Sequence, residues 1–149
     1  MKQQAFVLKR GDGEVLPVLG SEIRFVCQAH HTGSAWSLLE CAAPREVGPP
    51  PHHHEWDEAY FVVAGKLRFV IDGRELLVGA GDFVFIPGGT VHGFAGTTDD
   101  ARVLIFDAPA HAEGFFRETS HEVREMPRDL EKVPQIGERY GIHFLPPPG

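Results

Sequence analysis

The chain is poor in cysteine, in clustered positive charge and in long apolar runs, and each shortage removes a class of protein. Only Cys27 and Cys41 occur in 149 residues. They lie far apart inside apolar stretches, so they are read as reduced, buried thiols and not as a disulfide framework. Lys and Arg number 14 against 21 Asp and Glu, a formal charge of -7, and no basic run stands out. Nucleic acids and anionic membrane surfaces reward clustered positive charge, so neither is expected as a partner. No apolar run approaches the roughly 20 residues of a membrane span. Met1-Lys2-Gln3-Gln4-Ala5-Phe6 also lacks the apolar core of a signal peptide. The expectation is a cytoplasmic protein whose partners are small molecules.

What the chain does contain is short apolar stretches of β-branched and aromatic residues, separated by turns of Gly, Pro and Asp and poor in Asn. Candidate strands run over 5–9, 22–28, 35–42, 59–64, 66–72, 75–78, 82–86, 91–95 and 102–107. Asp72-Gly73, between two alternating stretches, predicts a tight hairpin, because both central turn residues must tolerate positive φ. Short strands with such turns predict an all-β, mostly antiparallel barrel or sandwich. After Pro109 the composition shifts. Residues 113–120 and 129–140 read as helical, with Gly141 as a C-terminal cap. Pro134 does not suit a helix interior and fits a first turn, so the second helix is expected to break or begin there. The chain is therefore divided into a β domain over 1–109 and a helical extension over 110–149 that ends in Pro146-Pro147-Pro148. Phe115, Phe116, Leu130, Ile136 and Tyr140 give that extension apolar groups that need a partner surface. It is expected either to close a pocket mouth or to bury an outer sheet face.

The chemistry concentrates in two segments. Side chains alternate along a strand, so His52 and His54 point the same way and His53 points away, which suits two imidazoles gripping one ion. Glu58 follows closely, and His92 comes just after Pro87-Gly88-Gly89, a turn able to aim it across the fold. Histidines plus a carboxylate suit one divalent transition metal, Fe, Mn, Ni, Cu or Zn, with positions left open for water or substrate. Glu58 can combine ligand duty with that of general base, which makes it the catalytic candidate. The competing readings are a solvated loop cluster for the histidines and an exposed strand-start carboxylate for Glu58. His30, His31, His111, His121 and His143 lack a paired pattern and are assigned ordinary hydrogen bonding. Tyr60 and Val62 share parity with Glu58, and Phe94 shares it with His92, so they are expected near the site. Trp36 is a further pocket candidate; with Phe25 and Phe106 it is also weighed as core. Arg24, Arg68 and Arg102 are expected to face water.

The run from Gly48 through His52-His53-His54 and Glu58 to Gly65 resembles the first motif of the cupins. Gly81-Asp82-Phe83-Val84-Phe85-Ile86-Pro87-Gly88-Gly89-Thr90-Val91-His92 resembles the second. The resemblance implies a small jelly-roll β-barrel with one metal, and it places the family's ligands on His52, His54, Glu58 and His92. Two positions depart from the pattern: Gly48 stands closer to His52 than usual, and Gly96 stands where Asn is common. By resemblance the leading functional expectation is a dioxygenase of quercetinase-like type acting on an aromatic or enolisable molecule. The alternatives are an isomerase, cyclase or decarboxylase using the metal as a Lewis acid, and a non-enzymatic binding or sensing barrel. A homodimer is expected, since exposed sheet edges favour pairing.

Overall fold

The computed structural model describes residues 3–146. Two antiparallel sheets carry the fold, facing each other as the halves of a jelly roll whose ladders do not close into a continuous barrel. The strands are β1 (Val15–Val18), β2 (Ser21–Cys27), β3 (Ser37–Ala42), β4 (His52–His53), β5 (Asp57–Ala64), β6 (Lys66–Ile71), β7 (Arg74–Gly79), β8 (Phe83–Ile86), β9 (His92–Gly96), β10 (Arg102–Ala108) and β11 (His143–Phe144). One sheet runs β1-β2-β3-β10-β5-β8 and the other β11-β4-β9-β6-β7. Alternation decides which side chains meet between them. Along β5, Glu58, Tyr60 and Val62 are buried while Asp57, Phe61 and Val63 are exposed. The shared core includes Phe25, Leu39, Leu67, Phe69 and Val103. The β6–β7 hairpin turns at Asp72 and Gly73, whose φ values of 48° and 81° meet the positive-φ demand of the turn.

Several expectations fail for identifiable reasons. Residues 5–9 form no strand: the segment has the right composition but pairs with no sheet edge, and Arg24 holds the carbonyls of Lys9 and Asp12 instead. β1 escaped the sequence reading because Pro17 disfavours a strand, yet β1 is an edge strand, where a missing N–H is tolerated. Phe106 and Trp36 are not core. They are 43% and 40% exposed, on the outside of the six-stranded sheet, with ring centroids 5.6 Å apart. Both cysteines are free. Cys41 is buried, which pushes its thiol up to about 12, while Cys27 is only half-buried.

Beyond β10 the chain folds back over one end of the sheets. After a one-turn helix α1 (Ala29–Thr32) between β2 and β3, the helices of this part are α2 (Glu113–Glu122), a 3-10 turn Arg128–Lys132, and α3 (Val133–Arg139). Pro134 sits in the first turn of α3, where its missing N–H costs nothing. Gly141 follows the C-cap with φ 75°. Phe115, Val133, Ile136 and Ile142 close a second apolar cluster around Trp56, whereas Leu130 is 42% exposed. The chain then adds β11 to the smaller sheet, pairing Phe144 with His52 and His143 with His53. Residues 147–149, which hold the last two prolines of the terminal run, lie outside the described residues.

Removing everything after Pro109 therefore uncovers Trp56 and deprives β4 of a neighbour. The shortened chain is expected to melt at least several degrees lower and to bind a hydrophobic dye, checked by thermal denaturation and dye fluorescence against the full chain.

Candidate metal centre

Four side chains from three strands and a loop converge at the end of the fold that the C-terminal segment covers. His52 (β4), His54 (the β4–β5 loop), Glu58 (β5) and His92 (β9) are all buried, and one ligand-type atom from each lies within 4.8 Å of the others. The backbone explains the convergence. β4 pairs with β9 so that His52 is opposite His92. The turn at Pro87-Gly88-Gly89 is tied to the other histidine segment: Gly89 N–H donates to the His54 carbonyl at 2.7 Å and Gly88 N–H to Asp57 Oδ1 at 2.9 Å.

Each ring is oriented by its second nitrogen. His52 Nδ1 lies 2.8 Å from the Pro50 carbonyl, His54 Nδ1 3.1 Å from that of Trp56, and His92 Nδ1 2.8 Å from that of Thr90. A carbonyl only accepts, so each Nδ1 carries a proton and, in the neutral ring, the lone pair resides on Nε2. Those lone pairs face a carboxylate: Glu58 Oε1 is 3.0 Å from His92 Nε2 and 3.5 Å from His54 Nε2. Acceptors gathered this closely in a buried space repel unless a cation stands among them. The donor set fits a mid-series divalent metal, with mixed nitrogen and oxygen ligands and open positions.

Glu58 is the electrostatic centre. Burial alone would raise its carboxyl, but Asp107, which donates to it, and the His54 and His92 rings beside it hold it well below the usual range. The Tyr60 hydroxyl also donates to Glu58 Oε1. Burial and the adjacent carboxylate push Tyr60 well above its ordinary value, so it stays a donor. Asp107 stands opposite Glu58 in the β10–β5 ladder and is fully buried. Burial, with the Glu58 charge, pushes it well above the carboxyl range, so the shared proton resides on Asp107. Trp56 Nε1 donates to its Oδ1 at 3.0 Å. Sequence reasoning missed Asp107 and Trp56. The parity of Val103, Ile105 and Asp107 on β10 was the available signal.

The cluster opens into a cavity of about 70 Å³. Since about 10–15 Å³ holds one water, this admits the reacting end of a small molecule. Its wall is aromatic: Trp56, Tyr60, Phe94, Phe115, Phe116 and Phe144 line it, and no lysine or arginine does among the described residues. Tyr60 and Phe94 thus stand where parity places them, with Tyr60 packed edge-on to Phe94 at 5.4 Å. Val62 is core and lines no part of the cavity. Trp36 is corrected: it precedes β3 on the outer surface, outside the register that would turn it inward. His53 points away and packs on His143 at 5.1 Å.

A two-sheet jelly roll with three histidines and a glutamate at one end defines a cupin-type site. The family profile for the cupin domain matches residues 38–108, a segment that holds all four of these side chains. The chain is 26% identical over 114 residues to quercetin 2,3-dioxygenase of Bacillus subtilis (strain 168), an alignment covering 75% of this chain and 34% of that protein. The chain thus spans about a third of that relative. Among solved structures it resembles the polyketide cyclase RemF from Streptomyces resistomycificus, with 26% identity and a TM-score of 0.62 over 70% of this chain and 80% of that one. It also resembles KdgF from Halomonas sp., with 20% identity and a TM-score of 0.65 over 71% and 94%. The last likeness concerns the fold alone. No helix among the described residues is long and apolar enough to cross a membrane.

Burial and the neighbouring His92 lower His52 to about 4 from 6.5. In metal-free protein the unfolded chain then takes up this proton first as pH falls. Its contribution to stability is full above pH 6.5, is lost between about 6.5 and 4, and amounts to about 3 kcal/mol at most. The melting temperature of metal-free protein should fall more steeply over that window than that of His52→Gln, measured by calorimetry.

Proposed function

We propose that the protein is a metal-dependent enzyme acting on a small, uncharged, aromatic or enolisable molecule, foremost as a dioxygenase. The observation that carries this reading is the set of imidazole lone pairs and one ionised carboxylate, all buried and facing an aromatic cavity without a cationic side chain. His52, His54, Glu58 and His92 would hold one divalent transition metal, and its positive charge would lower the pKa of a substrate enol or hydroxyl. The chain's own residues supply the rest. A Glu58 carboxylate oxygen accepts the proton released by the substrate, in a place where Tyr60 and Asp107 already keep it ionised. The aromatic wall orients a flat molecule and excludes water from the reacting end. The missing lysine and arginine disfavour substrates with a carboxylate or phosphate at that end, because such a charge would be desolvated without a partner.

Identity of 26% to a quercetin 2,3-dioxygenase supports the dioxygenase reading. Equal identity to a polyketide cyclase favours a second one, in which the same metal and Glu58 promote ring closure without oxygen. Oxygen uptake during turnover of phenolic and 1,3-dicarbonyl compounds separates the two: consumption matched to substrate loss supports the first, and turnover under anaerobic conditions supports the second. The assignment of the centre is checked by metal analysis. His54→Ala should bind metal at least about tenfold more weakly, since even outer partners of a site are worth about 10–100-fold, while His53→Ala should keep nearly all of it. Equal metal content in the two variants would sink the assignment.

A further inference from the structure

The chamber beside the metal centre is small, short of free polar groups and narrow at its mouth, and each property limits what fits. Its volume is about 70 Å³. At about 10–15 Å³ per water this space holds about five to seven waters, or about 150–200 Å³ of liquid. A cavity of about 150 Å³ takes one benzene ring, and pockets for larger ligands begin at about 300 Å³. Away from the metal-type ligands the wall is apolar, with Val18, Ile23, Phe94 and Ile105, and its polar groups are engaged. Trp56 Nε1 donates to Asp107, the Tyr60 hydroxyl to Glu58 and the Ser21 hydroxyl to the Val18 carbonyl. The buried Cys41 thiol offers only a weak donor. A substrate oxygen pointing away from the ligands would therefore be desolvated without an adequate partner.

The mouth is defined by the lining residues that are not buried: Leu19, Ser21, Gly48, Pro49, Phe116 and Phe144. Leu19 and Phe116 each pack against both apolar clusters, so they stand at the seam between the sheets and the C-terminal segment. Both are held firmly. Phe116 lies on α2, which is fastened on either side of it: Glu113 accepts from the Ala29 N–H at 2.5 Å, and Arg117 donates to Gln28 at 2.9 Å and lies over the Phe25 ring at 4.1 Å. Leu19 occupies the β1–β2 turn with φ 52°, where glycine would be unstrained and a bulky side chain is not. The turn keeps a leucine against its backbone preference at the place where a side chain narrows the entrance. We propose that the substrate is a single six-membered ring with its oxygens on one edge and apolar groups on the other, and that Leu19 and Phe116 exclude a second fused ring. This rests on the reading of the site as a metal centre for phenolic or enolisable molecules. With the oxygens at the ligands, the remaining edge meets only apolar side chains.

Calorimetric titration of the zinc-loaded full chain tests the proposal, because zinc has no redox chemistry and oxygen-dependent turnover stays silent. Catechol should bind at least about tenfold more tightly than 2,3-dihydroxynaphthalene, the penalty of overfilling a packed space. Apolar area alone would favour the larger molecule, so this order is diagnostic. 4-Ethylcatechol should bind about tenfold more tightly than 3,4-dihydroxybenzyl alcohol, which has nearly the same shape but places a hydroxyl on the far edge. Phe116→Ala and Leu19→Gly, the second of which also relieves the turn, should bring the two ring sizes to within about threefold. Leu77→Ala, on the smaller sheet and 74% exposed in the wild type, should leave both ratios unchanged. Circular dichroism and zinc content equal to wild type exclude misfolding as the cause. A wild type that binds one and two rings alike, or a size ratio that survives both mouth substitutions, overturns the proposal alone. Absence of any binding by the four compounds overturns the reading of the site on which it rests, and the proposal with it.

Discussion

A carboxylate removed from water is the constraint around which this end of the molecule is built. Left alone, Glu58 would take up a proton, since burial penalises its charge by several kcal/mol. It stays ionised because each neighbour offers it a proton or a lone-pair partner for a shared cation. Tyr60 reaches it from two residues further along the same strand, Asp107 from the adjacent one, and His92 from the opposite sheet. Trp56 fixes Asp107 from the side. The indole also stacks on His54 at 4.1 Å with the planes 9° apart. One side chain thus braces a histidine by its face and the carboxyl pair by its edge. The three Nδ1–carbonyl contacts do the same work for the rings, so the reactive nitrogens are aimed before any ligand arrives.

Parity made much of this legible before the structure. His52, His54, Glu58 and His92 could be grouped because the alternation of a strand is rigid, and Tyr60 and Phe94 followed from the same rule. Trp36 was misplaced against the same rule: Ser37, Leu39 and Cys41 face inward on β3, so Trp36 shares the outward parity of Leu38 and Glu40. Asp107 was overlooked for the opposite reason. Its parity with Val103 and Ile105 points inward, but an aspartate at a strand end reads as a solvent-facing turn residue. The strands missed, β1, β4 and β11, are short and contain a proline or lie within two residues of one, and the pairing of β4 and β11 is decided by distant partners. Among the ladders, β11 with β4 joins segments that no local pattern connects.

The departures from the cupin motifs also acquire a physical reason. A side chain at Gly48 would bring its Cβ within 2.0 Å of the Phe94 carbonyl oxygen, and one at Gly96 within 2.1 Å of that of Ala43. The loop before His52 therefore runs directly against the backbone of β9. Glu46 N–H bonds to the Gly96 carbonyl and Gly96 N–H to that of Val47. Two backbones in such contact behave as one, and the short lead into His52 is held in place without a longer loop.

The pairing of β11 with β4 also bears on the order of assembly. His52 lies between His92 on one side and Phe144 on the other, with ring centroids 4.4 and 5.4 Å away. During synthesis the chain delivers His52, His54 and Glu58 early, His92 later and Phe144 near the end of the described residues. Closing such a long loop is slow, because the entropy is lost before the contact forms. An emerging chain consequently displays an unshielded pair of imidazoles until Phe144 has been made. The closed chamber around them, with its own choice of ion and its own exclusion of water, comes into being only when the last strand docks.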